Sequence, residues 1–566
     1  MMHQLPTDAS TLVNATWETF EPIYQDLQKC ALNTENVSEW LHEWSRLSDG
    51  VEEMFARLQV AVASNTTDEE ADQRYNAFLD EIFPKAKAAD QVLKEKLLES
   101  GFEPEGHKLA LRNMRAEADL FREENLPLET EVSKLNTAYD KIVGAQVVNW
   151  DGEERTIDQM QTLYQNPDRQ IREKAWRLVA ERQQADRELI NNVWQKLLDL
   201  RLKLAKNAGR PDYRTYRWQE LNRFDYTPED GRRFHAAIEA VVVPAAKRIY
   251  ERRQKQLGVD MLRPWDLDVN PRGLAPLRPF TSAEQLKEGV SRMFHNVDPA
   301  LGEQFDILVQ EDLLDLENRK NKAPGGFCTG YSLIQRPFIF MNAVGTHEDL
   351  QTLLHEGGHA FHAFASAPLT YFQRNPPMEF AEVASMGMEL LAAPYLTQDQ
   401  GGFYTPAEAA RARIEHLEGS ILFWPYMAVV DGFQHWVYEN PQAAADPVQC
   451  DAAWADLWRR FMPGVDWSGL EDVMETGWHR KLHIFTDPFY YIEYGLALLG
   501  AAQVWGKSLN GQPGALAAYR KALTLGGTVT LPELFAAAGA RFAFDEEALR
   551  EAVGLMEAKI AALAEE

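Results

Sequence analysis

Cysteine is scarce in this sequence. Cys30, Cys328 and Cys450 are the only three in 566 residues, far apart and without a CxxC spacing. That excludes a disulfide framework and a cysteine-built metal cluster, and it suits a reducing compartment. Positive charge is also short: 58 Lys and Arg stand against 86 Asp and Glu, a net charge of −28. A field of that sign repels phosphate backbones and anionic lipid, so no nucleic-acid partner and no membrane role are expected. Long apolar runs are missing as well. Gly495–Trp505 is too short to cross a bilayer, and Met1–Asp8 has no basic region leading into an apolar one, so no signal peptide is read. The expected compartment is the cytoplasm. What the chain does have is ordinary globular material, 45% hydrophobic and 25% charged. The sequence leaves monomer and homodimer equally open.

The chain reads as mostly α-helical. Trp17, Phe20, Tyr24 and Leu27, then Trp40, Trp44, Leu47, Val51, Met54 and Leu58, recur at steps of three and four and stripe one helix face each, with a turn at Asn33–Asn36 between them. Residues 147–150 and 155–157 flank Asp151-Gly152, the signature of a small β-hairpin. Helical patterning resumes from Gln159 to about Leu204. Thr227-Pro228-Glu229-Asp230 opens another helix, running to about Gln256. Four prolines between Leu262 and Thr281 predict a long ordered loop. Two short strands are expected, at Pro324–Gly330 and Arg336–Met341. The division read from this pattern is a helical lobe over residues 1–200, carrying the hairpin near 147–157, and a second lobe over 201–566.

The chemistry lies in His355-Glu356-Gly357-Gly358-His359. Histidines at i and i+4 stand on one helix face, so both rings reach one metal ion, and the glutamate between them can accept a proton from water at that ion. Thr346 and Asp349 give the helix a capping-box start. Gly357 and Gly358 each cost about 1 kcal/mol against alanine in a helix, so something is expected to press closely there. A third protein ligand is needed. The position ten residues after His355 is Ala365, which excludes the three-histidine pattern of metzincins. His362 shares the face of His355 one turn on and reads as pocket wall or support. Glu379, Glu382 and Glu389, on an apolar helix after Asn375-Pro376-Pro377, are the remaining candidates. One is to ligate, and the others are to hold the histidines.

Residues 338–342 (FIFMN), the HExxH segment, residues 380–385 (FAEVAS) and residues 488–494 (PFYYIEY) together resemble the thimet oligopeptidase and oligoendopeptidase F family of zinc metallopeptidases, the bacterial oligoendopeptidase F branch above all. The motif-bearing match spans about residues 324–505. The resemblance implies a two-lobed, zincin-like helical body with a small β-sheet beside the active-site helix and a deep central channel. It implies zinc as cofactor and oligopeptides as substrates, cut internally. By position it makes His355, His359 and Glu382 the metal ligands, Glu356 the general base and Glu389 a support of the ligands. Tyr491 and Tyr494 become donors to the oxyanion, with His483 nearby. The segment Gly325-Gly326-Phe327 is expected to pair with the substrate backbone as a strand edge. Gly357 departs from the bulky residue usual in the family. The HExGH form also occurs in a helical family of metallocarboxypeptidases, so carboxypeptidase or dipeptidyl carboxypeptidase action is the second reading. A non-catalytic peptide-binding scaffold is a third, disfavoured because it gives Glu356 no task.

Overall fold

A computed structural model describes residues 5, 6 and 8–565. Met1–Gln4, part of the segment read for a leader, lie outside the described residues. The first helices form where the stripes predict, at Trp17–Lys29 and Val37–Ser64. The turn between them is built by Asn33, whose side-chain oxygen accepts the amides of Glu35 and Asn36.

Apolar packing divides the chain near residue 115 rather than by simple position. One cluster gathers Phe20, Trp40, Trp44, Leu79 and Leu93, and draws on residues 5–114. The larger cluster takes in Ala56, Val60 and Ala63 and then runs from Leu120 to Leu563. The helices Leu126–Gly144 and Arg187–Asn207 therefore bury their faces in the larger body through Tyr139, Trp194 and Leu197. A third, small cluster holds the hairpin against the helix Arg169–Ala185.

The hairpin is β1 (Val147–Trp150) paired antiparallel with β2 (Glu153–Thr156). Asp151 and Gly152 both take positive φ, 52° and 92°, the turn geometry that this dipeptide favours. The expected helix from Thr227 is capped by Thr227 and Asp230 as predicted, but one wide turn at Ile238–Val242 interrupts it. Pro244 follows that turn, and its missing N–H is why the ladder slips there. The proline-rich stretch holds only a short turn at Pro264–Asp266. It is ordered by Asp266, which is fully buried and paired with Arg169 and Arg172 at 2.7 and 2.9 Å.

The second sheet has strand order β3–β5–β4: β3 (Leu314–Glu317) runs parallel to β5 (Arg336–Ala343), and β4 (Phe327–Tyr331) lies antiparallel on its other side as an edge. The first helical unit is stitched to this sheet. Ala323 N donates to Ala63 O and Thr66 N to Asn321 O, both at 2.7 Å, and Ser64 Oγ donates to Asp315 Oδ2 at 2.9 Å. Lys322, fully buried, closes the seam by donating to Asp315 Oδ1 and to the carbonyl of Met341. A cavity of about 720 Å³ opens between the two helical units, with Tyr24, Phe55 and Phe83 on one side and Tyr216, Tyr371 and Met378 on the other. Among the described residues, no helix is long and apolar enough to cross a membrane.

Candidate metal centre

The turn after β5 delivers the chain to Thr346, whose hydroxyl accepts from Asp349 N while Asp349 Oδ2 accepts from Thr346 N. This capping box starts the helix His347–Ser366, in which Leu350, Leu353, Leu354 and Ala360 have no exposed surface. The rings of His355 and His359 stand 5.0 Å apart on its face.

The partner helix is Met378–Ala392. It approaches so closely that a Cβ on Gly358 would stand 2.6 Å from both Ala384 O and Ser385 Cα. A Cβ on Gly357 would meet the ring of Phe294 at 2.5 Å. Both glycines are thus explained by what presses on them, and Phe294 fills the space that a bulky residue at 357 would need.

This approach brings Glu382 to the histidines. Its Oε2 lies 3.2 Å from His355 Nε2 and 3.4 Å from His359 Nε2, and one ligand atom from each of the three residues falls within a 4.8 Å group. Burial pushes the Glu382 carboxyl up, but the two imidazoles outweigh it and hold the group well below the usual range. Burial disfavours charge on His355, yet its hydrogen bonds to Glu382 and Glu389 raise its pKa well above 6.5. Glu389 accepts from His355 Nδ1 at 2.7 Å and from His416 Nε2 at 2.8 Å. With Nδ1 so engaged, His355 presents Nε2 to the group. Two imidazole nitrogens and an ionised carboxylate oxygen converging in this way fit a divalent cation.

Glu356 sits in the same helix turn. Its Oε2 is buried without a hydrogen-bond partner, and burial raises its pKa. The Gly325–Gly326 backbone passes directly over it, so that a Cβ on Gly326 would be 3.6 Å from Glu356 Oε1. Phe327 turns its ring back onto Phe340 at 4.6 Å. His362 is buried, packs edge-on to Phe380 and is pushed down to about 3 by burial. It stays neutral in the wall.

Two expectations are corrected by these positions. Glu379 does not hold a histidine: its Oε1 accepts from Tyr226 OH at 2.6 Å and faces Arg223 at 3.5 Å. Being one turn before Glu382, it points past the metal-ligand face. The second correction concerns the tyrosines of the helix Tyr491–Leu509. Tyr494 OH meets His483 Nε2 at 3.2 Å, but the second hydroxyl at the site is Tyr490, which donates to Glu382 Oε1 at 2.6 Å. Tyr491 packs its ring among Phe423, Tyr426, His483 and Tyr494.

The reason is local. Phe489 takes a left-handed φ of 65°, a conformation costly for a bulky residue. It is held there by Gln434, whose Oε1 accepts its amide, and by Arg223, which donates to its carbonyl at 2.6 Å. That bend swings Tyr490 toward Glu382. Arg223 also pairs with Glu493, which fixes the tyrosine helix to the ligand helix. Tyr490, His416 and Arg223 are the residues the sequence did not place. Tyr490 sits inside the quoted motif, whereas His416, alone on a long helix, and Arg223, alone in the loop before Thr227, carry no local signal.

The molecule is thus a helical body around a His–His–Glu group fit to hold a metal ion, with a glutamate beside it and tyrosines opposite. The chain belongs to peptidase family M3: that family's sequence profile matches residues 162–554, and the profile of the peptidase M3 N-terminal domain matches residues 11–121. Group B oligopeptidase PepB of Streptococcus agalactiae is 24% identical over 65% of this chain and 59% of its own length. An oligoendopeptidase F homolog of Borreliella burgdorferi is 20% identical over 89% of this chain and 87% of its own. Matches to the first curated relatives thus span 59% and, for a Mycoplasma genitalium oligoendopeptidase F homolog, 40% of those proteins. Among solved structures, PZ peptidase A with an inhibitor superposes at a TM-score of 0.90, with 29% identity over 99% of this chain and 98% of that one. Oligoendopeptidase-F from Enterococcus faecium shares the fold at a TM-score of 0.63 and 17% identity, over 97% of this chain and 98% of that one.

Proposed function

We propose that this chain is a zinc-dependent endopeptidase that hydrolyses short oligopeptides in the cytoplasm. The observation that carries the reading is Glu356: a buried carboxylate with one oxygen unpartnered, beside three residues arranged as metal ligands. His355, His359 and Glu382 would hold the ion, and a set of two histidines and a glutamate suits zinc. When bound, the ion supplies Lewis acidity, polarising the scissile carbonyl and making water more acidic.

The chain's own residues supply the rest. Glu356 accepts the proton of the attacking water and delivers it to the leaving nitrogen, a task its raised pKa favours. Tyr494 presents a hydroxyl where the carbonyl oxygen gains charge, and one such preorganised donor is worth about 3 kcal/mol, while Tyr490 spends its hydroxyl proton on Glu382. His483 orients the Tyr494 hydroxyl. Burial and the neighbouring Lys481 charge keep its pKa well below 6.5, so the ring is neutral. Gly325 and Gly326 offer backbone at the entry to edge strand β4, where an extended peptide can add as a strand whatever its side chains.

The test uses an internally quenched peptide with an amidated carboxyl end, together with metal analysis. The protein should carry about one zinc per chain and cut the peptide at an internal bond. Glu356→Gln should keep the metal and lose about three or more orders of magnitude in kcat. An amidated peptide left whole while free-acid peptides lose terminal residues would identify a carboxypeptidase instead. Undiminished activity in Glu356→Gln would refute the proton-transfer role.

A further inference from the structure

Lysine is almost always paired when it is enclosed by protein, and this molecule follows the rule elsewhere. Lys322 is held by Asp315, and Lys94 by Asp90 and Glu117. Lys481 breaks it. Among the described residues no carboxylate pairs with Lys481. Its ammonium lies 4.3 Å from the centre of the Tyr491 ring and 5.9 Å from that of Tyr426. The aromatic faces stabilise the charge without consuming it. Burial alone pushes its pKa down to about 8, with no acidic neighbour to restore it. Among the described residues no carboxylate pairs with the adjacent, exposed Arg480 either, which donates to the carbonyl of Val473.

Their place in the fold gives the vacancy a direction. Lys481 is two residues before His483, which touches the Tyr494 hydroxyl, and its charge is among the causes that lower the His483 pKa. Between them, Leu482 Cδ2 stands 3.5 Å from where a Cβ on Gly325 would lie. Residues 481–483 therefore pack against the Gly325–Gly326 backbone that passes over Glu356. Lys481 is partly accessible beside it.

We propose that Lys481 binds a carboxylate of a peptide lying along that backbone, so that the enzyme selects substrates carrying a negative group at a set distance from the scissile bond. This rests on the peptidase reading above and names its substrate class. Two sources offer the same chemistry: the peptide's terminal carboxylate and an acidic side chain.

The experiment compares kcat/KM for matched quenched peptides in two pairs, free acid against carboxyl-terminal amide, and an internal Glu against Gln, moved one position at a time. A charge-assisted hydrogen bond predicts about a tenfold to hundredfold preference for the charged member of one pair in the wild type. Lys481→Met should reduce that ratio to near one, and Lys481→Arg should keep most of it. Loss of the acid-over-amide ratio assigns the terminal carboxylate, and loss of the Glu-over-Gln ratio assigns a side chain. A wild type without preference in either pair, or ratios that Lys481→Met leaves unchanged, would overturn the proposal. Because a ratio is read, a partly unfolded variant still reports. Inhibition of the wild type by product dipeptides, acid against amide, gives the same answer without a substitution. Failure to cut any peptide would count against the peptidase reading, whereas cutting without charge preference counts against Lys481 alone.

Discussion

At the scale of single residues, the site was legible where chemistry and spacing coincide, and obscure where a backbone irregularity intervenes. His355, Glu356 and His359 follow from one helical turn. Three glutamates on the next helix were open candidates, and only the close packing of the two helices shows that Glu382 meets both rings while Glu379 turns to Arg223 and Tyr226. The tyrosines went astray by one position because counting along a helix assumes the helix has begun. Phe489, at φ 65°, breaks that assumption immediately before Tyr490. The hydroxyls should therefore separate in function. Tyr494→Phe should lower kcat about 100-fold with little change in KM. Tyr490→Phe should weaken metal affinity about tenfold, since it removes a donor to a ligand. Tyr491→Phe should cost much less than either on both measures. Zinc titration and steady-state kinetics on the three variants would decide, and a Tyr491→Phe loss equal to that of Tyr494→Phe would contradict the geometry.

At the scale of elements, periodicity placed the helices Trp17–Lys29 and Val37–Ser64, and caps placed the helix starts at Thr227 and Thr346. They did not reveal β3, a four-residue strand whose leucine–acid alternation is too short to tell from the end of a helix. Nor did they reveal the wide turn before Pro244. The glycines of the active-site helix carry the clearest element-level prediction. In an isolated helix Gly358→Ala would gain about 1 kcal/mol. Here its Cβ would enter the backbone of Ala384 and Ser385 at 2.6 Å, and backbone cannot rotate away. Overpacking of this kind costs about 1–3 kcal/mol or more, and pushing the helices apart moves both histidines off Glu382. Thermal unfolding should show a lower melting temperature for Gly358→Ala, and dialysis against chelator should strip its metal faster than from wild type. A variant as stable as the parent would show the helices to be less tightly joined than 2.6 Å implies.

At the scale of the whole molecule, composition marks an acidic, cysteine-poor protein and the apolar stripes a helical one. How the helices divide between packing units was not legible, because an amphipathic stripe says that a face is buried and not against what. The seam between the units has a pH signature. Asp315 resists ionisation through burial, but its hydrogen bonds to Arg319 and Lys322 prevail and hold it down to about 2. A carboxyl depressed in the folded state contributes stability above its unfolded value near 3.9, and that contribution fades as pH falls from there toward 2. Hydrogen exchange of the amides of Thr66 and Ala323, which bond across the seam, should quicken over that interval, and Asp315→Asn should show the faster exchange already at neutral pH.

The enclosure of the Lys481 ammonium between two phenol rings has a kinetic outcome as well. Dissolved ions damp forces between groups separated by solvent over about 10 Å at 0.1 M ionic strength. Such damping erases most of the repulsion that a strongly acidic exterior exerts on an approaching anionic peptide. It reaches less to an ammonium half-buried beside Tyr426 and Tyr491. Added electrolyte thus speeds the encounter with acidic peptides while leaving intact the discrimination made once they have docked.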